Sequence, residues 1–182
     1  MSPDLQQPSL PAALIDSDEF RALDPKQVSN FQARFRYVQE IAEKIERWLS
    51  HKEPEVTLRL FLDNLELDLA VTQNLPEEDQ TQQSAWLIHS SWTFECPVSR
   101  MRAQLTPDVV ASIEQGPPPI DAQAGHVQQW LRDQGVALRH LLGRFHSAAT
   151  FEVAIAYHIA IDILLANLLV GTYKARLNPA LT

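Results

Sequence analysis

The chain has 182 residues, 45% of them hydrophobic and 21% charged, enough for one domain with a real core and inconsistent with wholesale disorder. A formal charge of -8 repels phosphate backbones, so nucleic acid is not the expected partner. The single cysteine, Cys96, excludes an internal disulfide and a thiolate metal cluster within one chain, and the five glycines include no phosphate-cradling loop and no GxSxG elbow.

Residues 1–23 carry prolines at 3, 8 and 11 and the acids Asp16, Asp18 and Glu19. This pattern predicts an extended acidic arm that folds back through Leu14, Ile15 and Phe20. It has no basic end followed by an apolar run, so it does not read as a secretory signal. Residues 24–182 are then expected to form a single α+β domain.

Asp24-Pro25 opens the first helix, with a capping acid and a proline suited to the first helical position. Val28, Phe31, Phe35, Val38, Ala42, Ile45 and Leu49 recur in steps of three and four, widened by Ile41 and Trp48. They predict an amphipathic helix to about Ser50.

After Pro54 the pattern reads differently. Val56, Leu58, Leu60 and Leu62 alternate along one run, and Leu65, Leu67, Leu69 and Val71 along the next, with Asp63-Asn64 between them. Alternation about a turn pair predicts a β-hairpin. The competing reading is one helix across 56–71, because leucine favours helix. A polar loop over 73–83 follows, then a third strand at about 85–96 with Trp86, Ile88, Trp92, Phe94 and Cys96 on one parity. The predicted core is a three-stranded antiparallel meander covered by the first helix.

Thr106-Pro107-Asp108 starts a short helix to about Glu114, and Gly116 with Pro117–Pro119 ends it. Asp121 is the expected cap of the next helix, whose apolar side is Val127, Trp130, Leu131, Leu138, Leu141, Leu142 and Phe145, with weak points at Gly135 and Gly143. The last helix, from about Ser147 to Arg176, pairs with it as an antiparallel hairpin. Its segment 151–171 is long enough to span a membrane, but Asp162 near its middle favours a buried helix of a cytoplasmic protein.

Two sets of residues are candidates for function. His158 and Asp162 share a helical face, as a base and its orienting partner would, and they define the alternative reading of a small enzyme or ligand-binding domain. No ligand spacing supports a metal, and no cofactor is expected. The preferred reading is a non-enzymatic protein-binding module, an adaptor, chaperone-like, assembly or inhibitor protein, that acts as a homodimer. An aromatic-lined groove or sheet edge made by Trp86, Trp92, Phe94 and Trp130 engages a basic or extended segment of another protein. Glu77, Glu78 and Asp79 steer its approach. Ile159, Ile163, Leu165 and Leu168 supply the dimer interface, because the last helix is too broadly apolar for one neighbour. An acidic dimer of small sheet and helices is loosely similar to the chaperones dedicated to secreted bacterial effectors, in fold class alone.

Overall fold

The structure is a computed structural model that describes residues 10–73 and 105–181. Among these residues every regular element is a helix: α1 (Ala12–Ile15), α2 (Asp18–Arg21), α3 (Pro25–Leu49), α4 (Leu58–Gln73), α5 (Pro107–Glu114), α6 (Ala124–His146) and α7 (Phe151–Arg176). Short 3-10 turns at Pro54–Thr57 and Pro179–Leu181 precede α4 and follow α7.

The expected α+β fold is therefore corrected. The segment read as a hairpin is one 3-10 turn and one helix. Leu58, Leu62, Leu65 and Leu69 are all within 2% of complete burial, whereas Leu60 and Leu67 are 63% and 67% exposed. The buried set advances by four, three and four, the step of a helix face, and the alternating set was a coincidence of leucine density. Few β-branched residues were present to favour extended chain. The proposed third strand at 85–96 lies outside the described residues. Without the hairpin, the likeness to effector chaperones has no footing.

Helices α3, α4, α7 and α6 form a four-membered ring, in that order, each packing on the next. Neighbours run antiparallel. Lys44 meets Asp68 at 2.7 Å and Trp48 stacks on Phe61 at 4.3 Å between α3 and α4, while Phe35 stacks on Phe145 at 4.5 Å between α3 and α6. Arg176 near the end of α7 pairs with Asp63, at 2.6 Å, and with Glu66 of α4. These hydrogen bonds, to Glu66 first and then to Asp63, push the guanidinium pKa further up, so Arg176 stays charged at any working pH.

Each helix end has a local cause. Ser17 caps α2 by accepting from the Phe20 N–H, and Thr150 caps α7 by accepting from the Val153 N–H at 3.2 Å. That cap sets the start of α7 at Phe151, four residues later than Ser147. Gln123, not Asp121, occupies the cap position of α6, and its side chain makes no capping bond. Asn167 of α7 donates to the Ile113 carbonyl at 3.0 Å, which satisfies a terminal acceptor of α5. Asn178 donates to the Ala122 carbonyl at 2.7 Å and ties the chain after α7 to the turn before α6. Leu14 and Phe20 of the N-terminal segment are buried, and Ile15 faces solvent.

Helix α6 passes through Gly135 and Gly143 unbroken. Gly135 and Gly171 mark close approaches. A Cβ at 135 would lie 2.8 Å from Ile45 Cγ2, and one at 171 would lie 2.2 Å from Trp130 Cη2 and 2.9 Å from Pro117 Cβ. Gly143 meets nothing within 4 Å. Gly171→Ala is therefore expected to destabilise by about 1–3 kcal/mol through overpacking, and Gly143→Ala to stabilise by about 0.5–1 kcal/mol through helix propensity. Urea denaturation of the two variants checks the contrast. The same assay tests the correction in α4. Leu62→Ala should cost about 2–5 kcal/mol and Leu60→Ala under about 0.5 kcal/mol, an asymmetry that a strand with both on one face would not produce.

Candidate functional site

Helix α7 is apolar on nearly every side, and its surroundings decide what its polar residues can do. Residues 154–161 are all buried, and α1 and α5 pack on this helix in addition to α4 and α6. By length and composition α7 could cross a membrane, but 61% of its most apolar window is buried by the chain's own elements.

His158 lies in that enclosed half, 1% exposed. Its ring stands edge-on to Phe35 at 5.3 Å and to Phe145 at 6.3 Å, so it completes an aromatic layer at the centre of the ring of helices. Its Nδ1 is 3.3 Å from Asp162 Oδ2, one turn on, and the Asp162 side chain is 14% exposed. The pair predicted from spacing is brought together. A sealed imidazole has no room for a substrate beside it, however. Among the described residues no group of three metal-ligating side chains converges there or elsewhere.

Among the grooves that the described residues form on other faces are two that neither His158 nor Asp162 lines. The larger, of about 580 Å³, runs between α5 and α6. Arg132, Val136, His140 and Arg144 succeed one another every four residues along its α6 wall, and Asp108 and Val109 stand on the other. The smaller, of about 310 Å³, lies between α3 and α6, where Arg139 pairs with Glu46 at 2.6 Å. Both walls of the larger groove carry charge, so it has no single electrostatic sense.

The predicted interaction residues divide into three groups. Trp86, Trp92, Phe94, Glu77, Glu78 and Asp79 lie outside the described residues. Trp130 is 2% exposed and packs against Gly171, so it is a core residue. Of the four proposed dimer residues, Ile159, Leu165 and Leu168 are buried within the chain, and Ile163 reaches the surface at 36%.

Ile163 begins a feature that the sequence reading did not isolate. Ile163, Ala166, Val170, Tyr173 and Leu177 advance by three, four, three and four, and all five are exposed. The four larger ones are 36%, 49%, 51% and 54% exposed. They form a heptad-spaced apolar stripe about 21 Å long on the outer side of α7. Leu60 and Leu67 are exposed on α4, a helix that packs on α7. No acid occurs from Ile163 to Leu177, and the only formal charges are Lys174 and the paired Arg176. The spacing was legible, but its exposure depended on knowing which sides of α7 its neighbours use.

No family model matches the chain, and no curated protein and no solved structure matches it.

The enclosure of His158 has a measurable consequence. His158→Ala is expected to lower the unfolding free energy by about 2–4 kcal/mol, through lost ring contacts and the cavity left behind. A solvent-facing base would cost under about 0.5 kcal/mol in the same denaturation experiment.

Proposed function

We propose that the protein is a non-enzymatic binding module that receives a partner helix on the outer face of α7. One observation carries the reading: the exposed stripe from Ile163 to Leu177. Exposed helix positions are ordinarily polar, and an isolated apolar side chain needs no explanation. Five in heptad register on one face are the pattern of a helix-docking seam. The burial of His158 and its separation from both grooves support this reading over an enzyme built on the His158–Asp162 pair.

The partner's chemistry follows from the face. The stripe recognises an amphipathic helix through its apolar side, in place of the extended segment that a sheet edge would take.

Site-specific photo-crosslinking in cells tests the reading. A photoreactive residue in place of Val170 is expected to give a discrete protein adduct, and one in place of the exposed Glu43 on α3 is expected to give none. No adduct at position 170 would refute the module.

A further inference from the structure

We infer that the helix docked on α7 is the α7 of a second copy of this chain, packed antiparallel about a twofold axis between Val170 and Tyr173. This rests on the binding-module reading and names its partner.

The order of side-chain sizes selects the arrangement. In an antiparallel pair of heptad seams, each position of one type faces the other type on the opposite helix. One register then sets Ala166 against the partner's Leu177 and Val170 against the partner's Tyr173. Each of these layers joins a smaller side chain to a larger one, the twofold repeats each pairing, and Ile163 lies beyond the last layer at either end. A parallel pair would set Ala166 against the partner's Ala166 and Tyr173 against the partner's Tyr173, leaving a gap in one layer and crowding in another. The neighbouring antiparallel register would set Ile163 against the partner's Tyr173 and Ala166 against the partner's Val170, again large on large and small on small.

Charge permits the contact. Each chain carries -8, and two copies repel at long range, yet residues 163–177 contain no carboxylate, and the acids between Leu60 and Leu67 on α4, Asp63 and Glu66, are held by Arg176. Antiparallel helices also oppose their dipoles favourably.

The area is of the right size. From their exposed fractions, the stripe side chains present roughly 350 Å² of apolar surface, and Leu60 and Leu67 on α4 about 200 Å² more. A standard interface buries about 800 Å² per partner, a little over half of it apolar, so about 450 Å² is needed. The α7 stripe alone falls short, and α4 and α7 together exceed it. Single chains rarely expose contiguous apolar patches beyond a few hundred Å².

Light scattering on the full chain is expected to give twice the 20.6 kDa chain mass. Val170→Lys should halve it while leaving the helical circular dichroism intact, and Val136→Lys, on exposed α6 surface, should leave it unchanged. Orientation is read with Cys96→Ser chains carrying either Ala166→Cys or Leu177→Cys. The two mixed should form a disulfide-linked pair, and neither should cross-link to itself. Self-linking of Ala166→Cys would establish a parallel pair and overturn the inference. So would a single-chain mass at tens of micromolar, or an adduct at position 170 to a different protein, although the latter leaves the module standing. A crosslink from 170 within one chain, or none at all, overturns both.

Discussion

The structure depends on covering α7. A helix with Ala, Ile, Leu and Val on almost every side cannot be satisfied by a single neighbour, because each packed helix shields one stripe. Through residues 154–161 the solution is complete enclosure, and it draws on most of the other elements. The long faces of α3, α4 and α6 follow from this demand. Each presents one buried stripe toward the centre: Phe35, Val38, Ala42 and Ile45 on α3, Leu58, Leu62, Leu65 and Leu69 on α4, and Leu131, Leu138 and Phe145 on α6. Beyond Asp162 the enclosure opens on one side, and there α7 meets solvent with the same kind of residue it buries elsewhere.

Close helix contacts make that enclosure tight. Gly135 and Gly171 remove side chains where Ile45 and Trp130 press in, so the ring closes around flat or branched groups at two levels. The aromatic layer of Phe35, Phe145 and His158 occupies another level. A histidine there contributes as a ring as much as a base, and its proximity to Asp162 offsets part of the desolvation of a buried polar group. Three polar residues at the cap and along α7 thus have structural employment. Thr150 starts the helix, Asn167 closes α5, and Arg176 joins α7 to α4.

The long helices were legible where a single period dominated. The three–four stepping of α3, the proline-headed start of α5 and the apolar span of α7 each leave one interpretation. The segment 56–71 supports two, since leucine at six of its positions satisfies a strand face and a helix face at once. Burial separated them, and burial depends on partners far away in sequence. The same limit applies to the candidate site. Spacing places His158 and Asp162 on one face of a helix, but the rings of Phe35 and Phe145 that close over His158 come from elsewhere. The breadth of the apolar surface of α7 was also legible in the sequence. Which part of it remains uncovered was not, because that follows from where α1, α4, α5 and α6 pack on it.

The ion pair between Arg176 and Asp63 spans 113 residues of chain. It shows how late the ring of helices closes during synthesis. Elongating at about 5–20 residues per second, a ribosome releases α3 and α4 well before α7 exists to meet them. Until then, among the described residues, α3 is the long helix that packs on α4. Closure is consequently a delayed, long-range event that must meet the entropy of closing a long loop, and the growing polypeptide presents an apolar surface to its surroundings for several seconds before the final helix emerges.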